Sequence, residues 1–246
     1  MQILSASQET GSDGRPADPG DVWIVVAAFN EVEVIRSVVE TLQGVDYRIV
    51  VVDDASTDGT GGQLRGTRAH VCHHAVNLGQ GAALQTGIRY ALMHGARYIV
   101  TFDADGQHRA DDVPRLLEPL LDGQCDVVLG SRFTGDGRAV DIPAAKQLVL
   151  RLATIYTRFT VGIRVTDTHN GLRAFSCAAA EKLDITQNRM AHATEMLKLI
   201  RRHRLRFVEV PVVVYYTDYS LGKGQKIRNA FNIVWDCFTE LFRRCA

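Results

Sequence analysis

From residue 22 onward the chain alternates short β-branched runs with stretches of helical periodicity, and several of the runs end in acidic residues. Residues 23–28, 49–52, 70–74, 98–102 and 126–129 read as strands. Strands separated by amphipathic helices imply an α/β fold with a mostly parallel central sheet flanked by crossover helices. Asn30 is expected to cap the first helix, with Glu33 completing a capping box and Val34, Ile35, Val38, Val39 and Leu42 forming one apolar face. A second helix is expected over 81–93, stopped by Gly95, and another begins at Asp111 and Asp112, where the helix dipole favours acid. A long helix over 144–161, an extended piece over 171–175, a helix over 193–203, a strand over 207–216 and a closing helix from 226 complete the pattern. No internal repeat or linker divides it. The reading is one domain over 21–246, after a disordered leader, 1–20, rich in Ser, Gly, Asp and Pro.

In open parallel sheets ligands bind beyond the carboxyl ends of the strands. Asp53 and Asp54 follow Val50-Val51-Val52, and Asp103 and Asp105 follow Tyr98-Ile99-Val100-Thr101-Phe102, so the two acidic pairs are expected to converge on one crevice. Asp103 and Asp105 flank a single residue, a spacing that lets two carboxylates approach one hard divalent cation bound to phosphate oxygens. A carboxylate at the position of Asp53 or Asp54 accepts hydrogen bonds from ribose hydroxyls or a base edge. The first strand is followed by Phe29-Asn30-Glu31 in place of a glycine-rich fingerprint, which argues against a dinucleotide and for a mononucleotide.

The charge balance, 28 basic against 28 acidic residues, excludes nucleic-acid binding by bulk electrostatics. It hides an asymmetry, because from Lys198 to the end there are ten basic and four acidic residues. The five scattered cysteines, with no C-x-x-C pair, read as reduced thiols of a cytosolic protein. Neither a secretion signal nor a membrane span is expected. The segment 222–246 reads as a basic amphipathic helix, with Ile227, Phe231, Val234, Phe238 and Leu241 on one stripe, fit either for core packing or for a membrane interface.

Five motifs in order, Ala28-Phe29-Asn30-Glu31, Val52 to Thr60, Asn77 to Leu84, Phe102 to His108 and Gly130-Ser131-Arg132-Phe133, resemble the family-two inverting glycosyltransferases of GT-A fold. Among these the chain looks most like polyprenol-phosphate sugar transferases of the dolichol-phosphate mannosyltransferase type. The resemblance implies that Ala28, Asn30, Glu31 and Asp54, with Asp53, Gly81 and Asp103, serve the nucleotide. It implies that Asp103, Asp105 and Gln107 hold a divalent metal ion, Mg²⁺ or Mn²⁺, on the diphosphate, with Asp105 counted among the catalytic residues. Arg132 and Lys146 would face the acceptor phosphate, Arg132 also acting in catalysis. Gln80 stands where relatives often carry Lys, and Lys146 where the mannosyltransferases tend to have Arg.

The segment Asp167 to Phe175 resembles the family's element beneath the acceptor. Asp167 is a candidate general base for a hydroxyl acceptor, or else a structural residue, and Glu195 is a second candidate base. A phosphate acceptor needs neither, being largely a dianion at neutral pH. The loop 215–226 resembles a mobile loop that closes over donor and acceptor, with Lys223 toward the acceptor. The implied activity is transfer of a hexose from a nucleoside diphosphate sugar to a polyprenyl phosphate, with a polysaccharide hydroxyl as the alternative acceptor. The implied place is the cytoplasmic membrane face, reached peripherally or through a small membrane-protein partner. A haloacid-dehalogenase-like phosphatase shares the Asp103-Ala104-Asp105-Gly106 pattern, but its nucleophile belongs on the first strand and here three strands precede it.

Overall fold

The computed structural model describes residues 18–44, 46–187 and 191–223. The predicted C-terminal amphipathic stripe and most of the predicted leader lie outside the described residues. The described residues begin at Asp18, inside the expected leader, with a 3₁₀ turn over Pro19–Asp21 that Arg97 anchors through a 3.0 Å ion pair to Asp21.

The strands are β1 (Val22–Ala28), β2 (Arg48–Asp53), β3 (His70–His73), β4 (Tyr98–Asp103), β5 (Val127–Ser131), β6 (Arg138–Val140), β7 (Arg173–Ser176), β8 (Phe207–Pro211) and β9 (Val213–Tyr215). Seven of them form one sheet in the order β3-β2-β1-β4-β7-β5-β8. All neighbours run parallel except β7, which lies antiparallel between β4 and β5. The helices are α1 (Ile35–Gln43), α2 (Thr60–Gln63), α3 (Gln80–Met93), α4 (Asp112–Leu121), α5 (Ala144–Val161), α6 (Cys177–Ala180), α7 (Ala191–Arg202) and α8 (Asp218–Lys223).

Strand residues alternate between the two faces, as a period of two requires. Ile24, Val26, Val51 and Val100 pack with Val38 and Leu42 of α1 and Val113 and Leu116 of α4. Trp23, Val25, Val50 and Ile99 pack on the other face with Leu84 and Ile88 of α3 and Met196 and Leu197 of α7. No described helix is long and apolar enough to cross a membrane.

Two expectations are corrected. Asn30 does not cap α1, which starts five residues later at Ile35 without a side-chain cap. The Asn30 backbone is left-handed (φ 56°), its N–H donates to Ser56 Oγ (2.9 Å), and its Oδ1 accepts from the Thr57 N–H (2.9 Å), so the side chain clasps the neighbouring loop. The expected strand over 207–216 is two strands in two sheets. Pro211 has no N–H to continue the ladder on β5, and the chain turns to pair β9 with β6.

Candidate active site

The register brings the two acidic motifs to one end of the sheet. Ala28 of β1 stands opposite Asp53, and Ala27 opposite Asp103 on the other side, so the acidic ends of β2 and β4 flank the end of β1. That separates them by two strand spacings, roughly 10 Å.

What the carboxylates do there differs from pair to pair. Asp54 is 2% exposed and fully engaged. Its Oδ1 accepts from His74 Nδ1 (2.7 Å) and Leu78 N–H (2.9 Å), and its Oδ2 from Gly79 N–H (2.7 Å). Asp53 accepts from the Ser56 N–H (3.0 Å) and sits 3.2 Å from His73 Nδ1. Asp54, expected to hydrogen-bond a nucleoside, thus also fixes the loop leading into α3. Ala28, also expected at the nucleotide, is 1% exposed, and its carbonyl accepts from the Asp54 N–H. Gly81 is a packing residue, because a Cβ there would stand 2.1 Å from the Gln187 carbonyl oxygen. Glu31 accepts a 2.7 Å bond from the Tyr219 hydroxyl of α8, tying the β1–α1 loop to the last described element.

Asp103 and Asp105 differ in how far their charge is compensated. Asp103 is bonded to His108 Nε2 (2.9 Å) and receives a 3.3 Å contact from Gln80 Nε2. Burial would raise its pKa, but the His108 hydrogen bond and charge, with His192 and Arg173 behind it, hold it below the usual carboxylate range. Asp105 has no cation bonded to it. Burial first, then the Asp103 charge, push it up to about 6. Two carboxylates this close, one of them raised by the other, fit a hard divalent cation whose remaining ligands come from phosphate oxygens and water. The cradle is cut close as well. A Cβ on Gly171 would fall 2.1–2.4 Å from the Asp103 carboxylate, and the Gly171 carbonyl is held by Thr101 Oγ1 at 2.7 Å. The described residues contain no cluster of three or more His, Cys, Asp or Glu side chains able to hold a metal alone. Gln107 contributes its backbone, its N–H donating to Asp105 Oδ1 (3.1 Å) and its carbonyl accepting from the Tyr215 N–H (3.0 Å).

Beside the acidic pair lies a buried cationic group. Arg132 forks onto Asp167, Nε to Oδ2 at 2.6 Å and Nη2 to Oδ1 at 2.7 Å, while Nη1 donates to the Tyr216 hydroxyl. Lys146, on the first turn of α5, places Nζ 4.5 Å from the Tyr216 ring centroid. Burial and the Arg132 charge lower the Lys146 pKa, and Asp105 partly offsets them. Lys146 thus sits within electrostatic reach of both Arg132 and Asp105. Arg132 and Asp167 are only 6% and 4% exposed. Of the two roles expected of Asp167, base or structural residue, these contacts favour the second: burial would raise its carboxyl, but Arg132, bonded to both its oxygens, holds it below the ordinary range. Glu195 is similarly occupied by Thr186 and Gln187, at 2.6–3.0 Å. Lys223 closes α8, and its side chain lies outside the described residues.

Three members of the site were missed in the sequence. Tyr216 holds Arg132; His108 holds Asp103; Glu209 of β8 accepts from Thr166 N–H and Oγ1 (2.7 and 2.8 Å) and from the Asp167 N–H (3.3 Å). Only His108 carried a signal, its place in the acidic motif.

With this geometry in hand, comparison with known proteins decides the family. The glycosyl transferase family 2 model matches residues 23–184. The chain belongs to glycosyl transferase family 2. It is therefore a glycosyltransferase. It is 30% identical over 234 residues, 87% of the chain and 93% of its relative, to the UDP-N-acetylglucosamine–dolichyl-phosphate N-acetylglucosaminyltransferase of Methanococcus voltae. It is 31% identical over 215 residues, 83% of the chain and 86% of its relative, to the undecaprenyl-phosphate mannosyltransferase of Micrococcus luteus. Glucosyl-3-phosphoglycerate synthase of Mycobacterium tuberculosis, solved with Mn²⁺, UDP and glucosyl-3-phosphoglycerate, superposes with a TM-score of 0.67 at 21% identity, covering 91% of this chain and 79% of that one. That likeness establishes the family 2 fold as GT-A.

Proposed function

We propose that the protein transfers a hexose, with inversion, from a nucleoside diphosphate sugar to a polyprenyl phosphate at a membrane surface, with a divalent metal ion on the diphosphate. The observation that carries this reading is the commitment of Asp167 to Arg132. A hydroxyl acceptor needs a base, and the two candidates, Asp167 and Glu195, are both engaged elsewhere. A phosphate acceptor needs none. It needs cations, and Arg132 and Lys146 supply them, Lys146 within electrostatic reach of Asp105. The named activities of the Methanococcus and Micrococcus relatives support the same acceptor class.

Asp103 and Asp105 would hold the metal, which when bound would neutralise negative charge on the leaving diphosphate. Asp167 and Tyr216 fix the Arg132 guanidinium, and the donors these leave free, with the Lys146 ammonium, orient the acceptor phosphate. An oxygen of that phosphate forms the new bond to the anomeric carbon as the bond to the diphosphate breaks. Inversion follows from the single displacement. Asn30, Glu31 and Asp53 lie at the strand ends where the nucleoside would rest.

The test is transfer of labelled hexose from GDP- or UDP-sugars to polyprenyl phosphate with Mg²⁺ or Mn²⁺. Transfer should be lost with chelator, and Lys146→Gln should raise KM for polyprenyl phosphate by about tenfold, the worth of one lost charged hydrogen bond, while the donor KM changes little. Efficient transfer to a sugar hydroxyl with polyprenyl phosphate inert would overturn the reading.

A further inference from the structure

The site accounts for the buried face of α5 but not for its outer one. Leu148, Leu152, Ile155 and Phe159 are 59%, 43%, 47% and 81% exposed. Their spacing of four, three and four places them on one stripe, roughly 16 Å long at helical rise. Elsewhere among the described residues large exposed apolar side chains stand singly or in loops, as Phe29, Val76, Leu78 and Met93 do. The charge around the stripe has one sign. Residues 143–166 contain Lys146, Arg151, Arg158 and Arg164 and no acidic residue, and Arg151 and Arg158 are exposed beside the stripe.

Charge decides what can cover it. A second copy meeting it stripe to stripe would set Arg151 and Arg158 against their own equivalents. Residues 226–244 of this chain carry Lys226, Arg228, Arg243 and Arg244 against Asp236 and Glu240, so they too bring net positive charge. An anionic lipid surface offers both an apolar phase for the four side chains and counter-charge for the arginines. α5 also reaches the acceptor side of the site. Its first turn carries Lys146, and its Gln147 and Arg151 line a cavity of about 370 Å³ together with Arg132, Phe133 and Arg138.

We propose that the outer face of α5, Leu148, Leu152, Ile155 and Phe159 flanked by Arg151 and Arg158, is the surface on which the protein lies on an anionic bilayer, with Lys146 and Arg132 at the level of the lipid phosphates. The proposal rests on a lipid-phosphate acceptor for its purpose, though not for its test. A helix lying in the interface immerses its apolar stripe by several ångströms and leaves its cationic flank among the headgroups. The acceptor's phosphate then meets Lys146 without its chain leaving the bilayer.

The test is co-sedimentation of the full-length protein with phosphatidylglycerol–phosphatidylcholine vesicles and with pure phosphatidylcholine vesicles, both free of polyprenyl phosphate. The intact protein should bind the anionic vesicles and lose them as salt is raised. Leu152→Glu/Ile155→Glu should weaken that binding by about a hundredfold, roughly tenfold per apolar side chain withdrawn, with unfolding temperature and metal-dependent binding of UDP or GDP unchanged. Vesicle binding unaltered in the double variant overturns the proposal. A sharp fall in its unfolding temperature does so as well, by showing that the chain itself covers the stripe, as does a dimeric wild type that becomes monomeric without losing vesicles. Vesicle binding by a protein that binds no nucleotide would instead sink the proposed function and leave the surface standing.

Discussion

Asp167 spends its charge on holding Arg132. Arg132 and Asp167 are 6% and 4% exposed, so removing one partner strands the other in a buried place, a loss of about 3–5 kcal/mol. Asp167→Asn should therefore lower the denaturant-derived stability by about that much. The sign with pH is fixed by the depressed carboxyl: the contribution is complete above the unfolded value, about pH 4, and disappears as pH falls through the folded one, so wild type and variant should converge in acid. A variant as stable as wild type at pH 7, impaired only in kcat, would return Asp167 to the role of base. At this scale the sequence was legible where chemistry is local. Asp103 and Asp105 read as one motif, and His108, missed as a partner of Asp103, lies only five residues beyond it. The loop contacts of Asp54 were not legible, because its partners, His74, Leu78 and Gly79, come 20 to 25 residues later. Tyr216 was invisible as a partner of Arg132, 84 residues away, because no local pattern announces a tyrosine that will cap an arginine.

Elements were more legible than their neighbours. Periodicity located α5 to the residue and the ends of β2 and β4 to within one or two, since a buried stripe leaves a trace in the sequence. It could not show that β7 inserts antiparallel or that β9 leaves the main sheet, because pairing is decided by distant residues. The close approach of α3 to Gln187 and His192 is of the same kind. Gly81→Ala gains about 1 kcal/mol of helix propensity. It also sets a methyl group 2.1 Å from the Gln187 carbonyl oxygen, and overpacking of that sort costs about 1–3 kcal/mol. Net destabilisation is the expected outcome in a thermal melt, with the donor KM little changed; a stable variant defective only in donor binding would restore Gly81 to the nucleotide site.

For the molecule as a whole, composition and alternation sufficed for the fold class, and five short motifs for the family. The outward stripe of α5 was not foreseen, because a sequence shows that a helix is amphipathic without showing which side is covered. Donor binding should register globally: at a hundred times Kd, UDP or GDP with Mn²⁺ adds about 2.7 kcal/mol, raising the unfolding temperature by roughly 5–10 °C in a domain of this size. Asp105→Ala should abolish that rise while leaving the unliganded melt in place, and a full shift in the variant would remove Asp105 from the metal site. The antiparallel insertion of β7 has a consequence in time. Thr101 of β4 waits 70 residues for its bond to Gly171, and the outer edge of β4 waits with it for residues 173–176. At ordinary translation rates that is about 4–14 s during which a strand rich in valine, isoleucine and phenylalanine stands at the ribosome with one side open. β5, synthesised in the interval, cannot close it. Until that four-residue strand arrives, the open edge of β4 is a template on which another chain could pair.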